Sequence, residues 1–132
     1  MKYVSIVVAL LHSVLCSPSA LAGPDMECGV EAFSQIEIAE CVVATKENVD
    51  RVLTEVFGFA QSAARELDSV TGRSVSLGAL EGSQKSWLEY RENHCAFVGK
   101  SFGGGSGTSI AISSCKTTLT RARIQQLMAI LN

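Results

Sequence analysis

Few side chains in this sequence are equipped for chemistry. His94 is the only histidine beyond residue 22. A histidine base needs a nucleophile beside it, and the four cysteines in the same stretch, Cys28, Cys41, Cys95 and Cys115, are better explained as two cystines. Carboxylates pair at helical spacing at Glu37 and Glu40 and at Glu89 and Glu92, but on charged helix surfaces such pairs read as solvated faces. There is no GxSxG, HExxH or P-loop pattern. No CxxC pair suggests zinc, and no CxxCH suggests covalent haem. The reading is therefore a protein that binds rather than catalyses, with no catalytic residues, no metal and no cofactor.

Two segments remain informative. In the run from Gln84 to Cys95, Gln84, Trp87, Arg91 and Cys95 fall on one helix face. A glutamine and an arginine on an inner face need partners, because unpaired buried polar groups are costly. The reading is a polar network to the preceding helix, with Glu40, Glu47 or Glu55 as its acidic members. The functional reading is a polar recognition patch. The second segment is the glycine-rich stretch Gly99 to Gly107. As a connector it needs its glycines for unusual backbone angles. As a protruding finger it offers Lys100, Ser101, Phe102, Gly104, Gly105 and Ser106, with free backbone amides, in the manner of inhibitor loops that enter an active cleft.

Helices must position these residues. Ser34-Gln35-Ile36-Glu37 is a capping box. From there to about Ser69 apolar residues recur at Val42, Val49, Val52, Val56, Ala60, Ala63, Leu67 and Val70, on one face. Lys46, Glu47, Asp50, Glu55 and Arg65 mark the opposite, exposed face. This helix is about 35 residues, roughly 50 Å long, and Gly58 is a candidate bend. Gly72 suits its C-terminal cap and Ser76 the next N-cap. A second helix runs from Leu77 to about Val98, with Gly78 and Gly82 placed for close packing. After the glycine loop, Thr108 or Ser109 caps a third, running to about Leu131, with Cys115, Leu119, Ala122 and Leu127 inward and Ile124, Met128 and Leu131 widening that face. The expected fold is all-α: a small antiparallel three-helix bundle, or four helices if the long one breaks, with two disulfides.

Three cysteine pairings are possible. Cys28–Cys41 would pin the N-terminal segment to the start of the long helix. Cys95–Cys115 would close the glycine loop at its base. This pairing is the one favoured.

The chain of 132 residues fits one domain. Its first 22 residues read as a secretory signal: Lys2, an apolar run from Val4 to Leu15, then Ala20-Leu21-Ala22 as the cleavage site. The domain is thus expected at residues 23–132. Leu15 before Cys16 argues against lipidation. No second apolar run suggests a membrane span. Without Lys2 the 11 basic residues become 10 against 13 acidic ones, a net charge of about −3. With no basic run, nucleic acid is excluded as a partner.

The residues also resemble a known family. Cys28 followed by Gln35, Glu37 and Cys41 is similar to the opening of the LprI-like lysozyme inhibitor family. The run from Val49 to Phe57 corresponds to its Ala-Asp-x-x-Leu-Asn-x-x-Tyr helix. Leu80, Gln84, Trp87, Tyr90, Arg91 and Cys95 reproduce its Leu-x-x-x-Gln-x-x-Trp-x-x-Tyr-Arg-x-x-x-Cys signature. Gly104-Gly105-Ser106, Cys115, Thr120 and Arg123 to Leu127 follow in the family's order. Ile38, Thr54 and Phe57 depart from the usual Met, Asn and Tyr. The resemblance implies a small exported bacterial protein, periplasmic or secreted, that inhibits C-type lysozyme. Its partner would be a lysozyme or another cell-wall hydrolase. The alternative is an immunity or envelope-stress protein with a different, dedicated periplasmic partner.

Overall fold

The computed structural model describes residues 22–131; the expected signal segment lies outside the described residues except for Ala22. Four helices follow one another: α1 (Pro24–Gly29), α2 (Gln35–Thr71), α3 (Ser76–Lys100) and α4 (Thr108–Leu131). No strand occurs among the described residues. The fourth helix does not come from a break in the long one. It is α1, six residues opened by Pro24, whereas α2 runs unbroken for 37 residues. Gly58 faces open space and leaves α2 intact.

The capping chemistry explains the helix ends. The Ser34 hydroxyl accepts the Glu37 N–H at 3.2 Å, and the Glu37 carboxylate accepts the Phe33 N–H at 2.7 Å. The reciprocal bond of the capping box thus falls one residue earlier than Ser34. Gly72 ends α2 at φ 66°, the left-handed conformation that glycine adopts without a Cβ penalty. Ser76 is not the N-cap of α3. Val75 holds that position without a side-chain bond. The carboxylate of Asp68, from the last turns of α2, instead accepts the N–H groups of Val75, Ser76 and Leu77 at 2.8–3.1 Å.

Residue pairings set the directions. Asp50 meets Arg91 and Gln61 meets Glu81, so α3 runs antiparallel to α2. Gln84 meets Arg123 and Cys95 meets Cys115, so α4 reverses again. Both disulfides join the expected partners, Cys28 with Cys41 and Cys95 with Cys115. The first holds α1 against α2. Arg121 of α4 grips Glu27 of α1 with both η nitrogens, and Ser114 bonds Asp25, so α1 is also tied to α4.

The apolar core comes in two pieces. Cys28, Val42 and Ile110 form one. Leu53, Ala60 and Leu127 form the other, extended by Val56, Phe57, Leu80, Trp87 and Ile124. The interior face of α2 keeps Val42, Val56 and Ala60 of the expected set but is offset from it: Leu53 is buried while Val52, Leu67 and Val70 are exposed. On α4 the buried positions are Ile110, Ser114, Thr117, Thr120 and Leu127. Ala122, Met128 and Leu131 are exposed. Thr117 and Thr120 tolerate burial because each hydroxyl donates to the carbonyl four residues earlier, at 2.9 and 2.8 Å. Gly78 and Gly82 meet nothing. The close approach is at Gly99, where a Cβ would lie 2.5 Å from Ile112 Cγ1.

Candidate functional site

A polar layer separates the two apolar cores. Arg91 projects from α3 with its side chain 12 % exposed, and its Nη1 donates to Asp50 Oδ1 of α2 at 2.7 Å and to Thr120 Oγ1 of α4 at 2.9 Å. One guanidinium thereby links three helices. Lys46 donates to the other Asp50 oxygen at 3.0 Å. Burial pushes the Asp50 carboxyl up, but the Lys46 hydrogen bond and the Arg91 charge outweigh it and hold the group below the usual aspartate range. Asp50, expected on the exposed face, is the acidic partner that Arg91 needs, and Glu40, Glu47 and Glu55 are not.

Gln84 is buried and accepts from Arg123 Nε at 3.0 Å, while Arg123 Nη2 donates to Ser83 at 3.0 Å. The guanidinium carbons of Arg91 and Arg123 lie 5.2 and 5.8 Å from the Trp87 ring centroid, within cation–π range. Four signature residues, Gln84, Trp87, Arg91 and Arg123, thus form one connected set. Tyr90 stands apart: it is half exposed and stacks on His94 at 5.4 Å. Of the carboxylates considered above, Glu37 serves the α2 cap and Glu92 accepts from Lys116 and Arg91. The hydrogen bond from Lys116 holds the Glu92 carboxyl below its ordinary value, against the effect of burial.

The glycine loop lies at the opposite end of α3 from the Asp68 cap. It is a chain of tight turns: Phe102 N–H donates to Gly99, Gly103 N–H to Lys100, Gly105 N–H to Phe102 and Thr108 N–H to Gly105, all at 3.0–3.4 Å. Those amides are spent inside the loop. Gly103 and Gly104 take φ values of 65° and 84°, which side chains with a Cβ resist. Ser101 donates its hydroxyl to the Val98 carbonyl at 2.6 Å. Lys100, Ser101, Phe102, Gly104, Gly105 and Ser106 are all exposed. Phe102 forms a ridge between two shallow hollows of about 310 and 240 Å³, both bordered by Asp25 and Ala111. The Cys95–Cys115 bridge and the Gly99–Ile112 contact brace the base of the loop.

Sequence reasoning missed Asp50, Asp68 and Thr117. Asp68 carried a weak signal, an acid shortly before the turn, but Ser76 offers the conventional cap at the same helix start. Asp50 and Thr117 carried none, because their roles depend on which neighbouring helix lies opposite. No group of histidines, cysteines and carboxylates among the described residues could hold a metal ion, and no described helix is long and apolar enough to cross a membrane.

Comparison with known proteins assigns the chain to a family. The family described as lysozyme inhibitor LprI matches residues 28–127, from the first bridged cysteine to the last buried leucine. An uncharacterized protein of Rhizobium meliloti (strain 1021) is 27 % identical over 124 residues, covering 89 % of this chain and 88 % of the relative. No solved structure matches. The matched span contains both disulfides, the polar layer and the glycine loop, and the chain belongs to the LprI lysozyme inhibitor family.

Proposed function

We propose that this protein inhibits a C-type lysozyme in the periplasm or outside the cell, by inserting the α3–α4 loop into the enzyme's active cleft. The observation that carries this reading is a braced, exposed loop that presents a cation and an aromatic. Lys100 offers an ammonium group and Phe102 an apolar ridge. A glycosidase cleft holds a pair of carboxylates about 5–9.5 Å apart, which an inserted Lys100 would engage. The disulfide and the internal turns lower the ordering cost of binding. The net negative charge of the domain attracts a basic lysozyme and raises the association rate.

Adding the oxidised protein to a C-type lysozyme that is clearing a cell-wall suspension tests this directly. Dose-dependent inhibition is expected. Substituting Lys100 and Ser101 together by Ala is expected to weaken it at least tenfold. Full inhibition by that variant would show that another surface makes the contact.

One observation favours a second reading, a dedicated partner other than lysozyme. The α1–α2 corner exposes Met26, Val30, Phe33 and Ile36, with Phe33 98 % accessible. The Cys28–Cys41 bridge holds this patch in place, and apolar clusters of this kind mark interaction surfaces. An affinity capture that returns a single stoichiometric partner, lost in Phe33→Ser, would support that reading.

A further inference from the structure

At the Ile130 end of the bundle the three long helices leave an open apolar groove of about 520 Å³, within the usual range for small-molecule sites. Ala60, Ala64 and Leu67 of α2, Leu80 of α3, and Leu127 and Ile130 of α4 line it. The small alanines leave the space that larger side chains would fill. Each helix contributes about two turns, so the groove is roughly 10 Å long.

Arg123 stands at its border. The other partly buried arginines, Arg91 and Arg121, each hold a carboxylate. Arg123 holds none among the described residues; its partners are the neutral Gln84, Ser83 and Gln126. Burial pushes its pKa below the ordinary arginine value, yet a guanidinium stays charged. Asp68 reaches the Ser76 end of the groove, but its carboxylate is occupied by three backbone N–H groups. Among the described residues the groove is therefore an apolar slot bordered by a cation that no carboxylate pairs, and Arg123, Leu127 and Ile130 follow one another along a single face of α4.

We propose that this groove binds a small amphiphile: a medium-length acyl chain lying along Leu80, Leu127 and Ile130, with its carboxylate on Arg123. The site is separate from the α3–α4 loop and does not depend on lysozyme binding. Trp87 is the protein's one tryptophan and sits against the Arg123 guanidinium, so its emission reports head-group docking.

The test is a titration with decanoate, followed by Trp87 fluorescence and calorimetry. Saturable one-site binding below 1 mM, on the order of a weak small-molecule affinity, is expected. Arg123→Gln is expected to weaken it at least tenfold. Ala64→Phe, which fills the groove from its open side, is expected to do the same while the melting temperature holds. Decan-1-ol is expected to bind at least tenfold more weakly than decanoate and to be indifferent to Arg123→Gln. If Arg123→Gln fails to fold, Ala64→Phe and the alcohol decide the question. A single-chain phospholipid of the same acyl length that binds more tightly than decanoate would overturn the free carboxylate as ligand. Absence of saturable binding, or binding that Ala64→Phe leaves unchanged, would overturn the site.

Discussion

Arg91 touches all three long helices through one guanidinium, and its energetic role follows from that. Its Nη1 serves Asp50 and Thr120 at once, so truncation leaves Asp50 with Lys46 as its one cation among the described residues and removes the bond that ties α3 to both neighbours in a half-buried layer. Arg91→Ala is expected to destabilise the fold by about 2–3 kcal/mol, read as a shifted denaturant midpoint. Asp50 adds a pH dependence. Its folded pKa lies below the unfolded one, so between the two values the unfolded chain binds more protons and stability rises with pH. The contribution is complete above the ordinary aspartate range, near pH 4. It is lost as the pH falls through the lower folded value. Melting curves across acid pH should show this loss, and Asp50→Asn should flatten it.

At the scale of helices, termini decide the arrangement more than propensities do. Ser34→Ala removes the N-cap of α2 and should cost about 1 kcal/mol. Asp68→Ala removes three bonds to the start of α3 and should loosen its first turn, visible as faster amide exchange at Val75 to Leu77. Gly99→Ala sets a methyl against Ile112 and should cost about 1–2 kcal/mol by overpacking. The Ser34 box and the Gly72 stop were legible because both are written within a few neighbouring residues. The Asp68 cap was less so, because the helix that supplies the accepting carboxylate and the helix it caps are different elements. Helix faces were partly legible. On α3 the inner row of Gln84, Trp87, Arg91 and Cys95 is as its spacing predicts. On α4 hydropathy misled, since Thr117 and Thr120 satisfy their own hydroxyls and so pack inward in place of Ala122 and Met128.

For the whole molecule, the two cystines compensate for a core split by a polar layer. Cys95–Cys115 closes a span of 20 residues, which constrains the unfolded chain by roughly 3 kcal/mol. Replacing both cysteines with Ser should lower the melting temperature and weaken lysozyme inhibition together, because the same bond braces the glycine loop. Inhibition that survives the loss of this bridge would move the contact away from the loop.

Taken alone, the sequence determined the helical class, the approximate boundaries of the three long helices and the family signature, and it favoured the disulfide pairing that the structure has. Each of these is encoded locally, in periodicity, caps, glycine runs and the places of cysteines on helices. Only the tertiary structure decided that Asp50 is the partner of Arg91, that a threonine row lines the interior of α4, and that Arg123 borders an open apolar groove with no carboxylate partner among the described residues. Those facts depend on which faces meet across helices 29 to 41 residues apart in sequence. A helix repeats its faces every 3.6 residues, so a rotation of a few tens of degrees between neighbours changes the partners while leaving the local pattern unaltered.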